Sequence, residues 1–208
     1  MSETDRLKWD ERYCTGSYVG REHPTALLAE WEPQLPRGRA LDVACGAGRN
    51  SLFLAATGRR VDAIDISPVG LERAKEAAER RGLEIRWIEA DLEANSRTVL
   101  PPGPYDLIVL VRYVNRDLLP HLLERLDVGG VLLCEQHVDS TEEVVGPTTP
   151  AFRLRHNELL RDAMRVAEPD HGVLYYREGV VTDPDGRRAA LSQLVMCRKR
   201  LVDDDSRA

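Results

Sequence analysis

The chain has 208 residues, 42% of them hydrophobic and 31% charged, which fits a folded globular domain and excludes disordered, collagen-like and membrane-embedded classes. Lys and Arg number 29 against 35 Asp and Glu, a formal net charge of −6, so the overall field disfavours nucleic acid as the main ligand. The longest apolar runs, around 107–111 and 131–134, fall far short of the ~20 residues of a bilayer span.

The N-terminal residues are polar and mixed in charge, unlike a secretory leader, so no export is expected. Cys14, Cys45, Cys134 and Cys197 show neither CxxC nor metal-ligand spacing. No metal site is expected, and the thiols read as small buried hydrophobes in a reducing, cytoplasmic setting. Up to Glu32 the pattern is two short helices anchored by Trp9, Tyr13, Leu27, Leu28 and Trp31 and broken at Gly16, Gly20 and Pro24. This is a helical flap, residues 1–38, in front of a core.

From residue 40 a short apolar run leads into Cys45-Gly46-Ala47-Gly48, and Leu52, Phe53, Ala55 and Ala56 then recur at helical spacing. Residues 61–65 form a second strand, Ser67 caps a helix with Pro68 in its first turn, and Gly82 ends it. Strands are expected at 84–88, 105–111 and 131–135, with an amphipathic helix over 118–126 that ends before Gly129-Gly130. A polar loop follows over 139–150, then a short helix at 157–164. Two last strands, 172–181 and 189–198, are joined through Asp183-Pro184-Asp185-Gly186 as a terminal hairpin.

Alternating strands and helices require a doubly wound, Rossmann-like α/β fold, because parallel neighbours need a helical crossover. The expectation is one domain: a mostly parallel seven-stranded sheet flanked by helices, with an antiparallel terminal hairpin and the N-terminal flap. Within it, 39–138 is the cofactor-binding core, 139–200 the substrate loop and hairpin, and 201–208 a frayed tail. In such a sheet the ligand sits at the carboxyl ends of the strands.

Asp42 stands four residues before Gly46, Asp65 closes the second strand and Asp91 follows the third. Three strand-end acids around one glycine turn suit a cationic ligand that carries hydroxyl groups. Asp65 can accept from both hydroxyls of a ribose and Asp91 from an adenine amino group. A dinucleotide turn would place a third glycine at position 51, where the chain has Ser51, so an NAD-dependent oxidoreductase is the weaker alternative.

In Leu41-Asp42-Val43-Ala44-Cys45-Gly46-Ala47-Gly48, Asp65-Ile66 and Asp91-Leu92 the chain resembles the class I methyltransferase family, which uses S-adenosylmethionine and releases S-adenosylhomocysteine. Trp9-Asp10-Glu11-Arg12-Tyr13, Tyr18, His23-Pro24 and Gly48-Arg49-Asn50 look like the small thiopurine and tellurite-resistance methyltransferases. The resemblance implies cofactor contacts at Trp9, Arg12, Asp42, Ala44, Gly46, Gly48, Asn50, Asp65, Ile66, Asp91, Leu92 and Val111. It also implies a flap that closes over the cofactor.

Methyl transfer from a sulfonium needs alignment and exclusion of water, and needs a base only when the acceptor arrives protonated. After the fourth strand, Arg112, Tyr113 and Arg116 are candidates for binding an anionic or planar acceptor. The Asn-Pro-Pro-Tyr type of segment used by nucleic-acid amino methyltransferases is missing there. After the fifth strand, His137 is the first candidate for a base or orienting group, joined by Tyr113 as a catalytic candidate; Tyr13 and His23 in the flap are substrate candidates. The function expected is methylation of a small-molecule acceptor by a monomer or homodimer, with neither nucleic acid nor membrane as partner. The alternative from another class is a cofactor-binding module or partner subunit that does not catalyse.

Overall fold

The computed structural model describes residues 3–16, 21–94 and 99–200; Tyr18 and the expected frayed tail, 201–208, lie outside the described residues. Seven strands form one sheet: β1 (Arg39–Val43), β2 (Arg60–Asp65), β3 (Ile85–Glu89), β4 (Tyr105–Val111), β5 (Leu126–His137), β6 (His171–Thr182) and β7 (Arg188–Arg198). Their order is β3-β2-β1-β4-β5-β7-β6. β1 to β5 are parallel, and β7 pairs antiparallel with both β5 and β6. The chain winds outward from β1 to β3 and returns to β4 on the other side of β1. The crevice at the carboxyl ends of β1 and β4 is therefore the switch point where such a sheet takes its ligand.

Period-two alternation places Leu41, Val43, Ile108, Leu110, Leu132 and Cys134 on one face. They are covered by α5 (Leu118–Leu123) and α6 (Glu158–Val166). Ala40, Ala63, Leu107, Val109 and Leu133 pack on the other face against α2 (Ala26–Trp31), α3 (Arg49–Ala56) and α4 (Pro68–Arg80). Both faces of the central strands are buried, as a parallel sheet requires. The flap begins with α1 (Glu3–Cys14).

Two expectations change. The helix after β4 stops at Leu123, and Leu126 pairs with Tyr105 as the first residue of β5, which runs through Gly129 and Gly130 after a register shift. Leucines at helical spacing continue past the helix end, so periodicity alone overextends it. Of the cysteines, Cys45 and Cys134 are buried, Cys197 is half-buried and Cys14 is exposed near the end of α1, contrary to a buried role for all four. Among the described residues no helix is long and apolar enough to cross a membrane, and no cluster of metal-ligating side chains occurs.

Candidate active site

The turn after β1 is built from left-handed residues: Ala44 (φ 56°), Gly46 (φ 57°) and Gly48 (φ 78°). A Cβ on Gly48 would lie 2.8 Å from the Ala74 methyl and 2.9 Å from the Trp87 ring, so only glycine fits between α4 and β3. A Cβ on Gly46 would strike the Tyr13 hydroxyl. Gly48 N–H donates to Cys45 O (3.0 Å), and α3 starts at the next residue. Asp42 lies within β1 and faces α3, where it accepts from Ser51 Oγ at 2.5 Å. Burial is the largest cause that pushes its carboxyl up to about 7, against the Ser51 hydrogen bond. Asp42 thus ties α3 to β1 from below the turn rather than lining its open side. Ser51, the residue that breaks the dinucleotide pattern, is its partner.

Asp65 closes β2 beside the turn. Its Oδ2 accepts from Gly46 N–H (2.7 Å) and its Oδ1 from Ser67 N–H (2.9 Å), which fixes the carboxylate and leaves lone pairs on both oxygens. Burial raises its pKa against these backbone donors. Ser67 caps α4 by accepting from Gly70 N–H (3.0 Å) and donates to Asp10 Oδ1 (2.5 Å), anchoring the flap. Arg73 donates to the Tyr13 carbonyl. Tyr13 is buried over Gly46 and Gly70. Trp9 stacks on Tyr13 at 6.2 Å, and the exposed Arg12 lies 4.8 Å over the Trp9 ring.

Ile66 and Leu92 are buried next to their acids, and Asp91 Oδ1 accepts from Glu93 N–H (2.9 Å). Tyr113 reaches back to Glu93 (3.4 Å); burial, then Glu93, raises its pKa. Asp65 and Asp91 thus stand at the β2 and β3 ends and Tyr113 just after β4, which the half-buried Val111 closes.

On the β4 and β5 side, Arg112 has a left-handed backbone (φ 58°), and its N–H donates to Glu135 O at 2.6 Å. Its guanidinium donates to Asp183 (2.7 and 2.6 Å) and to Glu135 Oε1 (3.1 Å). Glu135, fully buried, also accepts from Thr25 Oγ1 (2.7 Å) and Gln193 Nε2 (2.8 Å). Thr25 N–H donates to Asn50 Oδ1 (3.0 Å). Arg112 therefore holds the hairpin tip and the flap to the sheet and has no free fork for an acceptor. The exposed Arg116 pairs with Glu158 at 2.5 Å. His23 is exposed, followed by the half-buried Pro24 and the buried Thr25. The His137 ring packs against Gly146 of the 139–150 loop. Burial, then Arg112 and Arg153, pushes its pKa down to about 4, so in place of the expected imidazole titrating near neutral pH the ring is neutral there. Thr25, Glu135, Asp183 and Gln193 are site-building residues that the sequence pattern does not single out, because their partners are 58 to 110 positions away.

Residues 40–129 match the family model described as a methyltransferase domain. Over these residues the chain matches a methyltransferase domain, and its strand order and glycine turn give it the Rossmann-like fold of solved methyltransferases. The more particular likeness is to TehB. The probable S-adenosyl-L-methionine-dependent methyltransferase TehB of Haemophilus influenzae is 28% identical over 173 residues, 78% of this chain and 57% of the relative. The crystal structure of that organism's TehB superposes with a TM-score of 0.66 at 25% identity, covering 83% of this chain and 61% of that one. The ribosomal protein L11 methyltransferase of Symbiobacterium thermophilum is 33% identical over 132 residues, 61% of this chain and 42% of the relative. The chain thus spans about half the length of the curated relatives it matches.

The site fits the cofactor. The glycine turn permits close approach, and the Asp65 oxygens keep acceptor capacity for two hydroxyls beside the apolar Ile66 and Leu92.

Proposed function

We propose that the chain transfers a methyl group from S-adenosylmethionine to a small-molecule acceptor by in-line displacement, and that the acceptor is a soft nucleophile such as a thiol or a metalloid oxyanion. The observation that carries this reading is that the carboxylates at the β4 and β5 ends are taken up: Glu135 accepts from Arg112, Thr25 and Gln193, and Asp183 from both arms of Arg112. His137, pushed down to about 4 by burial, is neutral and only a weak base at neutral pH, and Tyr113, pushed up by burial and Glu93, keeps its proton. Neither is a general base there, which suits an acceptor that arrives already nucleophilic.

When bound, the cofactor supplies an electrophilic methyl on a sulfonium. Asp65 accepts from the ribose hydroxyls, Asp91 from the adenine amino group, and Ile66 and Leu92 pack on the ring. Gly46, Gly48, Ala44, Asn50 and Val111 shape the floor, with Asp42 bracing it. Trp9, Arg12 and Tyr13 cover it from α1 and exclude water. Tyr113 and neutral His137 orient the acceptor, with Tyr13 and His23 at the flap side. Arg112 positions Glu135 and the hairpin. The similarity to TehB and the four cysteines, none in a disulfide, support a metalloid or thiol acceptor in a reducing compartment, the cytoplasm.

Incubation with S-adenosylmethionine and separate thiols, selenite and phenols, scored by release of S-adenosylhomocysteine, tests the reading. Release with at least one soft nucleophile is expected. Release with none, from protein that binds the cofactor, would establish the non-catalytic module instead.

A further inference from the structure

Gln136 is the next-to-last residue of β5, and strand alternation puts it on the face of Leu132 and Cys134, under α5 and α6. It is buried, 2% exposed. Its Nε2 donates weakly to Leu110 O and to Cys134 Sγ, each at 3.5 Å, and its Oε1 has no hydrogen-bond partner among the described residues. Exchanging the two ends of the amide would set Oε1 against the Leu110 carbonyl, acceptor to acceptor, so the unpaired atom is the oxygen. A buried carbonyl without a donor destabilises the chain that holds it, and a ligand that brings a donor recovers the loss on binding.

The oxygen faces a cleft. Leu110, Leu119, Leu154 and Leu159 line it with Gln136 at the β4 and β5 ends, around a cavity of about 30 Å³. That space admits the end of a small molecule, and a water there would meet one strong partner where it needs about two to four. The other polar side chains that line the cleft are engaged: Asn115 with Leu92 O and Asp117 N–H, Arg116 with Glu158, and Asp162 with Arg165. No cation is thus left over in it for an anion, and leucines surround the single spare acceptor. Tyr113, proposed above to orient the acceptor, forms part of the wall.

We propose that this cleft takes the far end of the methyl acceptor and that Gln136 Oε1 accepts a hydrogen bond from it. The favoured acceptor is then a small thiol whose far end is uncharged and carries a hydroxyl or an amide N–H. Gln136 is a specificity-determining residue: a hydrocarbon end leaves its carbonyl unpaired, and an anionic end meets an acceptor instead of a donor. The inference rests on the transfer to a soft nucleophile proposed above, and within that class it selects the thiol over the metalloid oxyanion.

Rates with 2-mercaptoethanol, 1-propanethiol and mercaptoacetate, scored by release of S-adenosylhomocysteine, test this on wild type and Gln136→Met. The three thiols match in length and differ at the far end, which is a hydroxyl, a methyl or a carboxylate. In wild type, kcat/KM for 2-mercaptoethanol is expected to exceed the other two by about 10-fold or more. Gln136→Met keeps the volume and loses the carbonyl, so its ratio of 2-mercaptoethanol to 1-propanethiol is expected to fall about 10-fold, with a melting curve reporting the fold. Comparing the same pair of thiols in both proteins cancels their intrinsic reactivities. An unchanged ratio, a wild type that does not prefer 2-mercaptoethanol, or turnover of selenite with none of the thiols would overturn the assignment and leave transfer to a soft nucleophile standing. If the variant does not fold, the order of the three thiols in wild type decides. No release with any acceptor, from protein that binds the cofactor, would overturn both.

Discussion

Arg112 and Asp183 form a two-bond pair, 2.7 and 2.6 Å, that joins the end of β4 to the tip of the β6–β7 hairpin across 71 positions. Both side chains are nearly buried, 10% and 3% exposed, and Asp183 is held below the usual carboxylate range by Arg112 despite its burial. Removing one partner leaves a desolvated charge. Asp183→Ala is therefore expected to lower stability by about 3 kcal/mol in urea unfolding, and adding Arg112→Met to restore part of the loss. A cost under about 0.5 kcal/mol for the single variant would contradict the role given to this pair.

Gly48→Ala places a methyl group against Ala74 and Trp87 in a left-handed backbone. We expect a loss of about 2–4 kcal/mol in thermal or urea unfolding, strain and overpacking together. Gly58→Ala is the control: it is also left-handed (φ 85°) but has open space around it, so it should show the smaller backbone cost alone.

The Asp42 carboxyl titrates near 7 in the folded chain, against about 3.9 when unfolded. Folding therefore takes up a proton between these values. The stability tied to the protonated group is fully present below about pH 4 and is lost as pH rises through 7, on the order of a few kcal/mol. Asp42→Asn should flatten the fall in unfolding free energy between about pH 4 and 7. An identical slope in both proteins would place the ionisation elsewhere.

His137 is held near 4, below its unfolded value of about 6.5, so its contribution to stability is present above pH 6.5 and is lost as pH falls through 4. With an acceptor that does not ionise in that range, the pH–rate profile should show no break from this residue between 5.5 and 8. His137→Gln is expected to lower kcat about tenfold or less without moving the profile. A break near 6.5 in wild type that vanishes in the variant would restore a base role.

Much of the fold is legible in the sequence because strand hydrophobicity and helix period are local properties. Ala40 to Val43, Val61 to Asp65 and Tyr105 to Val111 read as buried strands, and Ser67-Pro68 announces the start of α4. The acids at strand ends are legible for the same reason, since the fold fixes where a strand end points. What a residue faces once there is a tertiary property. Asp42 reads like Asp65, yet one lies on the α3 side of β1 with Ser51 and the other against Gly46. Arg112 reads as a surface cation for an acceptor, and its engagement depends on Asp183 from the far hairpin.

Equilibrium binding of S-adenosylhomocysteine to wild type and to Asp65→Ala, with circular dichroism and a melting curve on both, tests the cofactor site most directly. Two ribose hydroxyls would lose their acceptor, so the account predicts tight binding by wild type and at least about 100-fold weaker binding by a folded variant. Equal affinity in the two proteins would contradict it.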